Sequence, residues 1–184
     1  MFIQTEATPN PATLKFLPGK VVWAEGPLEF TTSDDAGRSP LASAIFEVPG
    51  VTGVFFGYDF VTVTKDDTDW SRLKPAILGA IMEHYTSGAP IMLSDEAEVA
   101  GEEEFEAADA DTVATIKELL ETRVRPAVAQ DGGDITFRSF KDGIVYLHMR
   151  GACAGCPSST ATLRHGIQNL LKHFLPDVQE VRAI

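Results

Sequence analysis

The 184-residue sequence is poor in long apolar runs, in basic residues and in cysteine, and each shortage excludes a class of protein. No stretch approaches the ~18 consecutive apolar residues of a membrane-spanning helix, so we expect no membrane partner. The opening residues, MFIQTE, have neither the basic and apolar regions of a signal peptide nor the composition of a transit peptide. If Met1 is the true start, the sequence predicts a soluble chain that is not exported.

Basic residues are scarce, and the net charge is −12. Residues 94–111 hold nine acidic side chains and no basic one, whereas residues 112–184 carry a small positive excess. Nucleic-acid binding needs a clustered basic face, which neither region offers, so we expect no nucleic-acid partner. Like charges extend residues 94–111, which predicts a flexible acidic linker between two small domains, residues 1–93 and 112–184.

Both domains are predicted to be of the α+β class. In residues 1–93, Ser39 and Pro40 form a helix-start signal, and a later helix is expected to hold Pro75 in its first turn. His84 falls on that later helix and is expected at its surface. Strand patterns cover residues 2–5, 14–17, 21–23, 51–56 and 60–64.

The second domain has the predicted order α-β-β-α-β. An amphipathic helix over residues 113–128 is expected to break near Pro126, because proline cannot donate a helical hydrogen bond. Asp142 and Gly143 predict a tight turn between strands 135–140 and 144–149. A further helix over residues 163–174 and a last strand over residues 178–184 complete the domain.

The two cysteines, Cys153 and Cys156, carry most of the functional information. Two cysteines cannot staple a secreted domain of this length, and C-x-x-C spacing indicates a metal, a cluster or a redox dithiol. The loop lies between a strand end and a helix predicted to start at Pro157. Because backbone N–H groups and the helix dipole favour anions there, we expect lowered thiol pKa values.

The spacing by itself leaves several chemistries open. Structural zinc and iron–sulfur clusters usually need four soft ligands, and a two-fold dimer would supply four thiolates. A structural zinc site at a dimer interface and a thioredoxin-like dithiol oxidoreductase remain alternatives. The predicted antiparallel hairpin before the loop disfavours the second of these.

Other polar residues near the loop have simpler interpretations. Asp131 and Asp134 are interpreted as turn residues, and Arg150 as a solvated surface residue. The sequence contains no nucleophile–base pair, phosphate loop or dinucleotide fingerprint, so we expect a protein that is not an enzyme.

Two motifs carry a family resemblance. Residues 131–134 (DGGD), the hairpin after them and residues 151–159 (GACAGCPSS) resemble the NifU-like C-terminal domain of Nfu-type proteins. The opening MFIQTEATPNPATLKFLPG resembles the N-terminal domain of the same proteins. Together the two matches cover nearly the whole chain.

This resemblance implies an iron–sulfur cluster scaffold or carrier. The family holds a [4Fe–4S] cluster between the two subunits of a homodimer and passes it to apo-proteins, and a [2Fe–2S] cluster is the less expected cargo. The implied ligands are Cys153 and Cys156, and the implied partners are client apo-proteins and upstream cluster-assembly proteins. Mitochondrial members carry an extra leader, so we expect a bacterial cytoplasm, with the mitochondrial matrix as the alternative for a processed chain.

Overall fold

The computed structural model describes residues 1–94, 102–154 and 157–184, and the side chains of residues 157–159 lie outside this description. The described residues form two compact units, one on each side of residues 95–101. Each unit combines a β-sheet with helices and has its own apolar core. The predicted α+β class is therefore confirmed. Within these ranges no helix is long and apolar enough to cross a membrane.

The first unit is a five-stranded antiparallel sheet whose core also contains side chains from three helices. The strand order is β1-β2-β5-β4-β3. Its elements are β1 (Gln4–Ala7), β2 (Thr13–Leu17), β3 (Leu28–Phe30), α1 (Ser33–Ala36), α2 (Pro40–Phe46), β4 (Val51–Phe56), β5 (Val61–Lys65) and α3 (Trp70–Ser87). The predicted helix start is confirmed, since the Ser39 side chain accepts a hydrogen bond from the Ala42 N–H at 3.1 Å.

Three expectations for this unit are wrong. No strand forms at residues 21–23; β3 lies further along the chain instead. Helix α3 is capped by Asp69, which places Pro75 inside the helix rather than in its first turn. His84 is only 6% exposed, because it lies on the buried side of α3 together with Ile77 and Ile81.

The second unit is a four-stranded sheet of order β6-β7-β8-β9. Strands β7 and β8 are antiparallel, and the two outer pairings are parallel. Its elements are β6 (Glu104–Phe105), a 3₁₀ turn (Ala107–Asp109), α4 (Ala110–Leu119), a π turn (Leu120–Val124), α5 (Arg125–Gln130), β7 (Gly133–Lys141), β8 (Ile144–Gly151), α6 (Pro157–Phe174) and β9 (Glu180–Ala183). The predicted order α-β-β-α-β is present, with β6 added at one edge.

Local predictions for this unit agree with the structure at two turns. The helix over residues 113–128 is interrupted by the π turn just before Pro126, which lacks the amide hydrogen needed to continue the regular ladder. Asp142 and Gly143 both have positive φ angles, of 52° and 78°, as a tight hairpin turn requires.

The acidic segment is not a linker over all of residues 94–111. Strand β6 pairs with β7, and the Lys117 Nζ lies 2.7 Å from the Glu103 carboxylate. The Phe105 ring also contacts the Phe137 ring, with 6.4 Å between centroids. These contacts attach residues 103–105 to the second unit, and the end of the segment already lies in α4, which begins at Ala110. The remaining part of the predicted linker, residues 95–101, lies outside the described residues.

Candidate functional site

The cysteine loop lies where the topology of the second sheet requires a long connection. Strands β8 and β9 are parallel neighbours, so the chain must cross over between them, and α6 is that crossover. Helix α6 begins at Pro157, as the sequence predicts, and strand β8 ends at Gly151, two residues beyond the predicted strand 144–149. Cys153 lies in this connection, and Cys156 lies outside the described residues.

Cys153 is buried against the start of β7. Its side chain belongs to the apolar core of the second unit and is 7% exposed. A Cβ atom at Gly133 would lie 2.7 Å from the Cys153 Sγ and 2.8 Å from the Arg150 carbonyl oxygen. Both distances are shorter than normal contacts, so the cysteine can take this position only because residue 133 is glycine.

Backbone hydrogen bonds hold the loop on both sides of Cys153. The Ala152 N–H donates to the Gly132 carbonyl at 3.2 Å, and the Ala154 N–H donates to the Gly151 carbonyl at 3.1 Å. The Thr160 hydroxyl, in the first turns of α6, donates to the Cys153 carbonyl at 2.9 Å. The loop is therefore joined to the turn before β7, to the end of β8 and to α6.

The electrostatic environment of Cys153 is opposite to the one expected. Burial, together with the carboxylates of Asp131 and Asp134, raises the pKa of the Cys153 thiol to about 12. The prediction of a lowered pKa is wrong for this cysteine, because the fold buries its thiol and also brings two carboxylates, from the turn before β7 and the start of β7, to a loop that has none of its own. Burial and the two carboxylates favour the neutral thiol of Cys153, and a bound cation would favour its thiolate.

Asp134 does more than form a turn. Its side chain is 11% exposed, and its two oxygens accept hydrogen bonds from the Arg125 Nε and Nη2, each at 2.8 Å. Arg125 also contacts the Glu121 carboxylate through Nη1 at 2.5 Å. This pairing raises the pKa of Arg125, which therefore remains a cation.

Sequence reasoning missed Arg125 and misjudged Arg150. The Glu121–Arg125 spacing of four residues is visible in the sequence, but the pairing with Asp134 depends on how α5 packs against β7. Arg150 is 8% exposed rather than solvated, and its position in β8 lies opposite Asp134 in the antiparallel register with β7.

The described part of one chain does not by itself assemble a complete metal site. Within residues 1–94, 102–154 and 157–184, no group of three or more histidine, cysteine or acidic side chains converges in a way that would hold a metal ion. Cys153 lies next to the start of α6 and to the carboxylates of Asp131 and Asp134.

Comparisons with known proteins match both units. The family model described as "Scaffold protein Nfu/NifU N terminal" matches residues 3–88, and the model described as "NifU-like domain" matches residues 116–182.

Individual relatives match over almost the full chain. "NifU-like protein 4, mitochondrial" of Arabidopsis thaliana is 52% identical over 98% of this chain, which spans 65% of that relative. "NFU1 iron-sulfur cluster scaffold homolog, mitochondrial" of Homo sapiens is 49% identical over all of this chain, which spans 72% of that relative. The solution structure of a NifU-like protein from Saccharomyces cerevisiae is 30% identical, with a TM-score of 0.47 over 52% of this chain and 87% of that one.

Proposed function

Because the chain belongs to the Nfu/NifU family of iron–sulfur cluster scaffold proteins, we propose that it carries a [4Fe–4S] cluster and delivers it to apo-proteins. In this proposal the cluster is cargo, held between two copies of the chain by Cys153 and Cys156 of each. The observation that carries the proposal is the position of Cys153, buried in the β8–α6 connection against Gly133, as the first cysteine of the C-x-x-C motif.

The number of ligands supports sharing between two chains. A [4Fe–4S] cluster is usually held by four thiolates, and this chain has two cysteines in all. A two-fold axis through the site doubles the set without any new residue. The two α6 helices then direct their N-termini toward the cluster, which offsets part of its negative charge.

The raised pKa of Cys153 supports release as well as binding. A thiolate that burial and two carboxylates destabilise is held in that form by iron, and it accepts a proton readily when iron leaves. In a stepwise exchange of thiolates, Cys153 would then return to its neutral thiol form as a client thiolate takes its place on the iron.

A dithiol oxidoreductase is less well supported. Such an enzyme needs a thiol with a lowered pKa, and the pKa of Cys153 is raised. The strand before the loop is also half of an antiparallel hairpin, which differs from the parallel sheet around a thioredoxin-type motif.

The proposed partners are a second copy of the chain, upstream cluster-assembly proteins and apo iron–sulfur clients. The names of the Arabidopsis thaliana and Homo sapiens relatives describe mitochondrial proteins and support a mitochondrial location. They give no support to the bacterial cytoplasm that we expected from the sequence. Fractionation of the source cells, with the mass of the mature chain, tests this location.

Anaerobic reconstitution of the full chain with iron and sulfide tests the function. We expect a brown dimer with about two iron and two sulfide per chain, as a shared four-iron cluster requires. The matched variants Cys153→Ser and Cys156→Ser should each lose the cluster and remain folded. One iron per chain in a dimer would indicate a two-iron cluster, bound zinc a structural metal site, and a metal-free monomer that cycles a disulfide a dithiol oxidoreductase.

A further inference from the structure

We propose that Arg125 is a positioning residue for Cys153 and acts through its two-point ion pair with Asp134. The inference rests on the proposed function, since its consequence is the geometry of a cluster ligand. Neither residue touches the cysteine sulfur directly through a hydrogen bond. The connection runs through the turn at residues 131–133.

The turn at residues 131–133 packs directly against Cys153 and its neighbour in the loop. Gly133 is so close to the Cys153 Sγ that no side chain fits between them, and the Gly132 carbonyl accepts the Ala152 N–H. Gly132 has a φ angle of 82°, which is a conformation that other residues rarely adopt. A small movement of this turn therefore moves Cys153.

Helix α5 holds the turn at one end. The Asp131 N–H donates to the Val128 carbonyl at 3.1 Å, and the Gly132 N–H donates to the Ala129 carbonyl at 3.0 Å. These bonds attach the turn to the last residues of α5. They do not restrain its other end, where β7 begins.

The ion pair holds that other end. Arg125 is the first residue of α5, and Asp134 directly follows Gly133 in β7. The Asp134 Oδ1 also accepts the Ile135 N–H at 2.8 Å, which fixes the carboxylate relative to the strand. Helix α5 thus holds the turn at both ends, through backbone bonds at its C-terminus and through Arg125 at its N-terminus.

The guanidinium group of Arg125 is well suited to holding the Asp134 carboxylate in one position. Its planar fork meets both carboxylate oxygens at once, which fixes orientation as well as distance, whereas a lysine ammonium supplies only a point charge. Without the guanidinium, Asp134 would be a nearly buried charge with its main cation removed, and it would be drawn toward water. Gly133 would move with it, away from the Cys153 sulfur.

Amide hydrogen exchange in the full apo-chain, read residue by residue by NMR, tests the proposal without a cluster. We expect Arg125→Gln to speed exchange of the Ala152 amide about tenfold, because its acceptor is on the loosened turn. The Val145 amide, in the centre of the same sheet, should keep its rate. We expect Arg125→Lys to correct only part of the change. Asp134→Asn, added to Arg125→Gln, should also correct only part of it, because it removes the unpaired carboxylate but does not restore the two-point contact.

The matched control is Arg182→Gln. Arg182 also meets a carboxylate at two points, Glu180, but both side chains are about half exposed on β9. This variant should leave the Ala152 amide unchanged. An unchanged rate in Arg125→Gln, or full restoration by lysine, would overturn the proposal, as would equal acceleration at Ala152 and Val145. If Arg125→Gln does not fold, Arg125→Lys gives the same local comparison.

Iron loading separates this proposal from the proposed function. If the wild-type chain takes up no iron, the carrier function fails and the exchange result still stands. If wild-type loads and Arg125→Gln loads equally well with unchanged exchange, the positioning role alone fails. We expect Arg125→Gln to hold several-fold less iron than Arg182→Gln under the same conditions.

Discussion

The two units use similar elements but connect their strands differently. The sheet of the first unit is antiparallel throughout, and β4 and β5 are joined by a short turn at residues 57–60. In the second unit β8 and β9 are parallel, so the chain must leave the sheet at the end of β8 and return through α6 to the start of β9. The comparison shows why the cysteine loop belongs to the second unit: a crossover provides a loop at a strand end, followed by a helix N-terminus.

The two units also differ in whether a buried ionisable side chain has a partner. In the first unit His84 is buried, and its Nε2 atom has no hydrogen-bond partner. In the second unit Asp134 is nearly buried but is paired at two points with Arg125. The unpaired group lowers stability when it ionises, whereas the paired group fixes a position next to the proposed ligand.

The two tryptophans allow the units to be followed separately. Trp23 and Trp70 both pack against the core of the first unit, and the second unit has none. Tryptophan fluorescence therefore reports unfolding of the first unit. A far-UV circular dichroism transition without a fluorescence counterpart belongs to the second unit.

The largest expected effect is a loss of stability of the first unit when a side chain in its apolar core is shortened. Ile81 is fully buried in α3, and Ile81→Ala should lower the free energy of unfolding of the first unit by about 2–5 kcal/mol. Urea titration followed by tryptophan fluorescence measures this change. Iron loading at the second unit should remain at the wild-type level, and a loss of loading would contradict the separation of the two units.

A smaller effect, on the other unit, is expected from Gly133→Ala. The added Cβ would lie within 3 Å of the Cys153 sulfur and the Arg150 carbonyl, so it should destabilise the second unit by about 1–3 kcal/mol. It should also abolish cluster loading, since Cys153 must move. In a urea titration, the circular dichroism transition of the second unit should move to lower urea concentration, and the tryptophan fluorescence transition of the first unit should not change.

The control for that variant is Gly166→Ala in α6. A Cβ at Gly166 meets no atom within 4 Å, so alanine should raise helix stability by about 0.5–1 kcal/mol. Equal destabilisation by both alanine variants would show that close packing at Gly133 is not the cause.

The smallest expected effect is a pH dependence confined to the first unit. Burial lowers the pKa of His84 below its ordinary value of 6.5, so the unfolded chain binds the proton more readily than the folded one. The contribution to stability is complete above pH 6.5 and is lost as the pH falls through the lowered value. Urea midpoints from tryptophan fluorescence should fall between pH 7 and pH 5, and less steeply in His84→Leu. If the urea midpoint changes equally with pH in the wild-type chain and in His84→Leu, titratable groups other than His84 cause the pH dependence.

Much of the fold follows from local patterns in the sequence. The helix start at Ser39, the turn at Asp142 and Gly143 and the break before Pro126 each depend on neighbouring residues, and each was predictable. The strand at residues 28–30 and the attachment of β6 were not, because they depend on pairing with strands far along the chain.

The sequence alone determined that the cysteines form one C-x-x-C pair between a strand and a helix, because spacing and helix-start chemistry are local properties. Only the tertiary structure decided the electrostatic character of Cys153. Burial and the approach of two carboxylates reversed the expected direction of its pKa shift, and a helix nine residues upstream of Asp134 supplied the arginine that balances one of them. Charge interactions act through space and solvent exposure, and neither is encoded in the immediate neighbours of a residue.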